Sequence, residues 1–511
     1  MNSPTRPFLP QWRRATLAGL TLLFLGSGTA LAAGSIRIGL QDDADALDPH
    51  LSRSYVGRIV FASMCDKLLD VDTTLQFVPQ LATEWHWSNN GKTLTMKLRP
   101  GVKFHDGTAF NAAAVKANID RAKTLPESVR KNELSMVESV TASDPLTVVF
   151  ELKHPDATLL AQLSDRAGMM LSPTAAAKPD FVTHPVCAGP YKFVERVQQG
   201  RMVLQKFEDY WDKDAYKIDR VEFLPIPDTT VRLANLKSGG LDLIERVATS
   251  DIKSVKGTAS LQLAMAPGLG FMSIEFNLAN GDKAKTALGQ NKLLRQAFSL
   301  SIDREAINQA VFDGVFTPGN QPVPPSSPYY AGAFPVQGRD IDKARKLVSQ
   351  AGGGPVPVDL QVPNNPITMQ VAQVIQAMAG EAGFNVTLRA TEFATLLSDA
   401  QKGAFQATLL AWSGRVDPDG NIGPFMTCGA GLNDPHYCNA DVDKALAEAR
   451  GTPTESERKA FYATAAAHYM DDVPTLYLYH EMRLFAVSKK VSGFTAHPDG
   501  LIRLRGVSVT Q

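Results

Sequence analysis

Strand-type and helix-type hydrophobic patterns alternate along this chain, and this alternation restricts the fold class more than any other feature. Residues 34–40, GSIRIGL, alternate apolar and polar side chains as a half-buried strand does. Residues 304–312, REAINQAVF, have apolar side chains at helical spacing behind the cap residue Asp303. The apolar runs 406–412 and 474–480 are typical of buried strands. We therefore predict a mixed α/β fold.

The length of the chain sets the number of domains. A chain of 511 residues is too long for one hydrophobic core, so we expect two or three domains. Hydrophobic residues make up 44% and charged residues 20%, which is ordinary for a globular protein. The sequence contains no internal repeat and no low-complexity tract.

The N-terminal segment has the three parts of a secretory signal peptide. Arg13 and Arg14 precede a short apolar run, and the small-residue site Ala30–Ala32 follows it. We predict a signal peptide over residues 1–32 and a mature protein exported to a bacterial periplasm; a twin-arginine signal is the alternative interpretation. No later run is apolar over the roughly 20 residues that a membrane span requires.

The charge balance argues against a nucleic-acid partner. The chain has 52 basic and 52 acidic residues. Because the predicted signal peptide contains three arginines and no acid, the mature chain keeps 49 basic against 52 acidic residues, a net charge of −3. A nucleic-acid-binding surface normally has an excess of lysine and arginine.

The four cysteines suggest disulfides, because the predicted compartment is oxidising. Cys428 and Cys438 flank the turn-rich loop GAGLNDPHY, and we predict that they form a disulfide. On their residue pattern alone, Cys65 and Cys187 either pair with each other or stay as buried free thiols. A zinc site is the alternative for these cysteines, but there is no CxxC motif and the nearby His436 is isolated.

Motifs of known catalytic sites are missing from the sequence. There is no G-x-S-x-G, no phosphate-binding loop and no H-E-x-x-H, and His105 in the turn FHDG is predicted to be structural. Residues 417–428 begin like a calcium loop, but the sixth and twelfth positions hold Ile422 and Cys428 in place of glycine and glutamate. We therefore predict a binding protein with no catalytic residue, no metal and no cofactor.

Long stretches of the chain resemble one family of transport proteins. Residues 81–122, beginning LATEWHW, closely resemble the signature region of the peptide-type, family 5 solute-binding proteins of bacterial ABC importers. Residues 184–196, 210–247, 293–325 and 411–446 are similar to the same family in the same order. The resemblance covers nearly the whole mature chain.

The resemblance implies a periplasmic binding protein fold, in which two lobes joined by a hinge enclose the ligand. The first lobe is expected over 33–268 and 480–511, with an extra subdomain over 50–183, and the second lobe over 269–479. The implied function is that of a monomeric periplasmic receptor, which delivers a small-molecule or peptide-like ligand to an inner-membrane ABC permease.

The sequence departs from the family pattern where the dipeptide-binding members hold their ligand. In those members, an aspartate after W-[ST]-G holds the α-amino group, whereas this chain has Arg415 there. They hold the carboxylate with an arginine before an NPN-like stretch, and residues 361–368, QVPNNPIT, contain none. Because a guanidinium pairs with carboxylates and repels ammonium groups, we predict an anionic ligand, either an organic acid or an N-blocked peptide-like compound.

The other predicted ligand-binding residues are grouped around this arginine. Trp412 is expected to form an apolar or stacking wall. Asp417 and Asp419 are expected to accept from a donor group of the ligand or to orient the arginine. Arg166 and Tyr55 are first-lobe candidates, with Arg166 at the far end of the ligand. The predicted set is Arg415, Trp412, Asp417, Asp419, Arg166 and Tyr55.

The resemblance also bears on the second cysteine pair and on the alternatives. Cys187 stands in a segment that usually reads GTGP in the family, which favours a disulfide between Cys65 and Cys187. A nickel-type metal-chelate receptor of the same family is the first alternative function, although the scattered histidines do not support it directly. A secreted hydrolase is the second alternative, and it lacks a recognisable nucleophile and base.

Overall fold

The computed structural model describes residues 34–510, and the predicted signal peptide, residues 1–32, lies outside them. Within these residues, no helix is long and apolar enough to cross a membrane. The fold of residues 34–510 is mixed α/β, as the alternating patterns predicted. It contains three larger sheets.

The first sheet is built around the N-terminal strand Ser35–Leu40. This strand pairs in parallel with Arg220–Pro225 on one side and with Leu243–Glu245 on the other. Its Ile36 and Ile38 side chains are fully buried in the core of this sheet. From one edge to the other, the strands are Leu261–Pro267, Met482–Ser488, Leu243–Glu245, Ser35–Leu40, Arg220–Pro225, Arg201–Lys206 and Tyr191–Val197.

The second sheet has the strand Phe271–Phe276 near its centre, buried along its whole length. The two predicted buried strands, now bounded as Ala407–Trp412 and Thr475–His480, flank it in antiparallel orientation. Met272, Ile274 and Phe276 pack into one apolar cluster, whereas Phe271 on the opposite face packs into another. The strands are, in spatial order, Thr317–Pro318, Thr475–His480, Phe271–Phe276, Ala407–Trp412, Val356–Pro363 and Phe384–Thr391.

The third sheet is antiparallel and lies within residues 82–152. The helix Ala112–Thr124 contacts it, and the Asn111 side chain caps this helix by accepting from the backbone N–H of Ala114. The strands are, in spatial order, Ala82–Ser88, Thr93–Leu98, Thr147–Leu152 and Val137–Asp144. Smaller antiparallel pairs join Leu69–Val71 to Phe77–Pro79 and Val491–Ser492 to Ser508–Val509.

The helices lie between the strands, and polar side chains begin many of them. Asp303 caps the helix Arg304–Phe312 by accepting from the N–H of Ala306, as predicted. The α-helices are Tyr55–Met64, Ala112–Thr124, Leu159–Leu163, Pro173–Ala176, Thr229–Lys237, Ile252–Gly257, Ala287–Gln290, Lys292–Ser301, Arg304–Phe312, Ile341–Gln350, Pro366–Gly380, Phe393–Gln401, Asp419–Met426, Ala440–Gly451 and Glu455–Asp472. Short 3-10 turns are Asn89–Gly91, Arg166–Gly168, Lys213–Ala215, Thr249–Asp251 and Asp282–Ala284.

Disulfides join the cysteines in the pairs that the sequence favoured. Cys65 is bonded to Cys187, and Cys428 is bonded to Cys438. The first bond connects the end of the helix Tyr55–Met64 to the segment before the strand Tyr191–Val197. The second bond closes a short loop after the helix Asp419–Met426, and this loop reaches the cleft described below.

Candidate functional site

A cleft lies between the first and the second sheet. Gln41 and Asp42 line it just after the strand Ser35–Leu40, and Glu245 and Arg246 line it at the end of the neighbouring strand. In α/β proteins, ligands bind outside the carboxyl ends of parallel strands. The cleft is therefore the candidate ligand site.

Aromatic side chains form one wall of the cleft. Trp412 and Tyr55, both predicted as ligand-binding, are among its lining residues. Trp412 packs edge-on against Phe425 with ring centroids 4.9 Å apart, and its indole N–H donates to Asn421 over 2.9 Å. The Tyr55 hydroxyl donates to the carbonyl oxygen of Gly500 over 2.7 Å. Both rings are fixed in place, and arginine guanidinium groups lie over each of them.

Arg415 is not among the residues that line the cleft. It is only 6% exposed, and its Nε lies 2.9 Å from Oδ2 of Asp165. Arg58 holds the same carboxylate through two hydrogen bonds of 3.2 and 2.6 Å. The guanidinium of Arg415 also packs over the Trp412 ring, with 4.1 Å between its carbon and the ring centroid. Arg415 thus shares one carboxylate with Arg58, and its Nη2 atom is buried without a hydrogen-bond partner among the described residues.

The charges around Arg415 shift one another's pKa values. Burial and the neighbouring Arg58 lower the pKa of Arg415 to about 9, and Asp165 opposes this shift. Burial alone would raise the pKa of Asp165, but Arg415, Arg58 and Arg166 hold it well below its usual range. Asp165 is therefore the anion at the centre of this cluster.

Asp417 and Asp419 face away from the cleft lining. Asp417 forms an ion pair of 2.7 Å with Arg458, which lies on the helix Glu455–Asp472. Asp419 forms one of 2.8 Å with Arg450, which lies on the helix Ala440–Gly451. These carboxylates tie the loop after Trp412 to two helices.

Arg166 is fully buried beside the same charge cluster and does not line the cleft. One of its terminal nitrogens donates to the carbonyl oxygen of Ser52 over 2.6 Å. Burial lowers the pKa of Arg166, and the neighbouring Arg130 and Arg415 act in the same direction. The structure thus brings two predicted site residues, Arg166 and Arg415, to one cluster around Asp165.

Charged residues that the sequence did not single out line the cleft. The acidic residues are Asp42, Glu245, Glu275 and Asp434, and the basic residues are Arg53 and Arg246. Among described residues, the lining therefore has more carboxyl groups than guanidinium groups. The signal that could have found Glu275 is a lone charge within the apolar strand FMSIEF, residues 271–276.

Burial shifts the pKa values of these carboxyl groups upward. It raises the pKa of Asp42 to about 6, with Arg246 opposing the shift. Burial and the nearby Asp434 raise the pKa of Glu275 to about 8, and Arg53 opposes this. The cleft thus holds two carboxyl groups whose pKa values are raised toward or above neutral pH.

One group of residues has the spacing of a metal site, but its chemistry does not fit. Cys428, Cys438 and Asp443 place potential ligand atoms within 4.8 Å of one another. Both sulfur atoms belong to the disulfide and cannot act as thiolate ligands. No histidine of the described chain lines the cleft.

The sheets and the cleft between them define a two-lobe periplasmic binding protein, and the comparison with known families agrees. Residues 76–433 match the model of bacterial extracellular solute-binding proteins, family 5. The chain belongs to this family, whose members are periplasmic binding components of ABC transporters.

Relatives match along nearly their whole length. The chain is 29% identical to the glutathione-binding protein GsiB of Pectobacterium atrosepticum, over 98% of this chain and 99% of the relative. It is 28% identical to GsiB of Escherichia coli O1:K1, over 94% and 96%. Among solved structures, AgaA from A. tumefacien R10 in complex with agropinic acid is 25% identical with a TM-score of 0.84, over 94% and 99%. A dipeptide-binding protein from Pseudoalteromonas sp. SM9913 in complex with Met-Leu has a TM-score of 0.85 at 23% identity, over 93% and 100%.

Proposed function

We propose that this protein is the periplasmic substrate-binding component of an ABC importer, which captures a small peptide-like solute and delivers it to the inner-membrane permease. The observation that carries the proposal is the cleft itself, because residues of both sheets line it together with the aromatic side chains of Tyr55, Phe271 and Trp412. Clefts between two lobes close around their ligands and thereby exclude water. Binding with no chemical step is the activity proposed.

Contacts across the cleft support a closed arrangement. Asp165, in the predicted first lobe, pairs with Arg415 of the second, and Arg58 donates to the Ser413 hydroxyl over 2.9 Å. Arg483 donates to the Ser413 carbonyl oxygen over 2.6 Å. A solute that fills the cleft adds contacts to both sides and so favours this arrangement.

The relatives support a solute of peptide-like size with a carboxylate. GsiB is a glutathione-binding protein, and the two solved structures are complexes with agropinic acid and Met-Leu. Sequence reasoning assigned the carboxylate to Arg415, but the guanidinium there is already paired with Asp165. We assign the carboxylate instead to Arg246, a residue of the cleft lining.

Arg246 lies among Glu245, Glu481 and Asp42, which raise its pKa against the effect of burial, but its hydrogen-bond donors are not used by them. Among described residues its guanidinium donates no hydrogen bond, and its ionic contacts to Glu245 and Glu481 are long, at 3.5 and 3.6 Å. Its backbone is left-handed, with φ 52°, a conformation that costs roughly 1–3 kcal/mol and is common at ligand clamps. A carboxylate can therefore receive the two parallel hydrogen bonds of a guanidinium here.

Native mass spectrometry of the purified protein, followed by calorimetric titration with glutathione and Met-Leu, tests the proposal. We expect a retained or added small solute, no product from it, and binding that Arg246→Gln weakens about tenfold or more. Arg201→Gln, an exposed arginine of the same sheet, is the matched control and should bind like the wild type. Turnover of the solute, or equal binding by Arg246→Gln, would contradict the proposal.

A further inference from the structure

Glu275 is a buried carboxyl group with no hydrogen-bond or ion-pair partner among residues 34–510. It lies on the central strand Phe271–Phe276 of the second sheet and is 4% exposed. Its side chain accepts no hydrogen bond within residues 34–510, and its Oε2 atom is fully buried. Because buried carboxylates are normally paired or hydrogen-bonded, such an atom needs an explanation.

The side chain of Glu275 lines the cleft and belongs to no apolar core cluster, whereas Met272 of the same strand touches both the cleft and the core. Alternate residues of a strand share one face, and Phe271, Ser273 and Glu275 all line the cleft. The apolar cluster on the opposite face contains Met272, Ile274 and Phe276. Glu275 is therefore a polar group presented to a solute.

The charged groups around Glu275 leave it uncompensated. The nearest ones are Asp434, from the disulfide-closed loop, and Arg53. Arg53 is committed to Asp434, with 2.5 Å between Nη2 and Oδ2, and its other terminal nitrogen donates to the carbonyl oxygen of Leu397. When all three groups are ionised, they carry one net negative charge. A cation in the cleft would neutralise it.

We propose that Glu275, with Asp434 beside it, binds the cationic group of the solute, an ammonium or a guanidinium. This inference rests on the proposed function only in that the cleft holds the solute. The cationic subsite would thus lie on the strand next to the strand that carries Trp412. In the sheet register, Glu275 pairs with Thr408, and Phe271 at the other end of the strand pairs with Trp412. Because Arg246 is proposed to bind the carboxylate of the solute, the cleft suits a solute that carries one positive and one negative group.

Calorimetry on the full mature chain at pH 7.5 tests this subsite with three proteins and two sets of probes. The proteins are the wild type, Glu275→Gln and Glu448→Gln, the last being an exposed glutamate of the helix Ala440–Gly451. The peptide probes are glutathione and Met-Leu, each with a free and with an acetylated amino group. The non-peptide probes are the simple amines putrescine and agmatine.

We expect acetylation of the bound peptide, or Glu275→Gln, to weaken binding about thirtyfold or more, and Glu448→Gln to have no effect. Glu275-dependent binding of the amines alone would support the subsite and contradict a peptide-like solute. Peptides that bind equally well when acetylated, and equally well to Glu275→Gln, would overturn the subsite and leave the proposed function standing. Absence of any Glu275-dependent binding would also overturn it.

Thermal unfolding provides a second measurement that does not depend on the probe. An unpaired buried carboxylate destabilises the unliganded protein, and an amide of the same shape removes the charge. We therefore expect Glu275→Gln to unfold at the same or a higher temperature than the wild type at pH 9. A marked fall in its Tm at this pH would mean that the carboxylate is already compensated within the protein, and would contradict the subsite.

Discussion

Buried charges decide the chemistry of this molecule, because each one must be compensated by the protein or by a solute. Asp165 is compensated twice, by Arg58 and by Arg415. Glu275 is compensated by neither hydrogen bond nor ion pair among the residues that the structure describes. The first arrangement holds protein segments together, whereas the second is the kind found at binding sites.

Arg415→Ala is expected to lower the free energy of unfolding by roughly 2–3 kcal/mol, measured by urea denaturation. Breaking a buried ion pair typically costs ~3–5 kcal/mol, and here Arg58 continues to hold Asp165. Arg345→Ala is the control, because this arginine is exposed and its ionic contact to Asp342 is 3.9 Å long. An unchanged stability together with lost solute binding would instead place Arg415 on the solute.

The affinity for a guanidinium-bearing probe such as agmatine is expected to rise as the pH rises from about 6 to about 9. The pKa of Glu275 is raised to about 8 by burial and by Asp434, so the carboxyl is mostly protonated at the lower pH. A bound cation favours the ionised form, and binding then releases a proton. Calorimetry in buffers of different ionisation enthalpy measures this release.

Glu275→Gln should flatten this pH profile, since the amide does not titrate. Arg53 and Asp434 also face the site, and Tyr477 on the neighbouring strand senses the charge of Glu275. A pH profile of agmatine affinity that is the same in Glu275→Gln as in the wild type would assign the titration to another group.

The raised pKa of Glu275 also means that the folded wild type loses stability as the pH rises from about 4.5 to 8, by up to about 1.4 kcal/mol per pH unit.

At the scale of elements, local patterns predicted the strands Ser35–Leu40, Ala407–Trp412 and Thr475–His480 and the helix caps. These features depend on neighbours in sequence, and periodicity records them. The partner of Arg415 could not be predicted in this way, because Asp165 lies 250 positions earlier in the chain and meets it only through the fold. The assignment of Arg415 to a ligand, which the sequence made without this partner, stays a prediction.

The disulfide loop 428–438 is the element that brings Asp434 to the cleft. Within it, Asn433 donates to the carbonyl oxygens of Thr427 and Tyr437 and so fixes the turn next to Asp434. Asp434 forms the ion pair with Arg53. The sequence predicted the disulfide from the spacing of the cysteines. It did not indicate that the loop has a role in the site, because that depends on the contact with Arg53.

Replacing both Cys428 and Cys438 by serine is expected to destabilise the protein by about 2–3 kcal/mol, because the unfolded chain regains the entropy of the open loop. We also expect weaker solute binding, since Asp434 is then held less firmly. Urea denaturation and calorimetry measure the two effects. Peptide mapping of the unreduced wild type is the control, and alkylation of both cysteines there would show that the bond does not form.

At the scale of the whole molecule, the lobe boundaries that the family resemblance implied stay a prediction, and the strands can be located relative to them. Strands of the first sheet fall within 33–268 and 480–511, and the third sheet falls within 50–183. The second sheet falls within 269–479 except that its strand Thr475–His480 ends one residue later. Lobe boundaries can be predicted only from long family motifs in a fixed order, because local hydrophobic patterns do not show which strands share a sheet.

The contacts that cross the cleft predict how the protein responds to a solute. Arg53 and Asp434 are 10% and 6% exposed at their side chains, and both line the cleft, so a solute is expected to add to an ion pair that already links the two sides. We expect solution scattering to show a smaller radius of gyration when a bound peptide saturates the wild type.

Arg53→Gln should weaken the ion pair with Asp434 and give a larger radius of gyration without solute. It should also require a higher solute concentration for closure, because the solute must then supply the energy that the ion pair supplied. Arg345→Gln, exposed and far from the cleft lining, should behave like the wild type. A radius that saturating solute leaves unchanged in all three proteins would exclude closure as the response to binding.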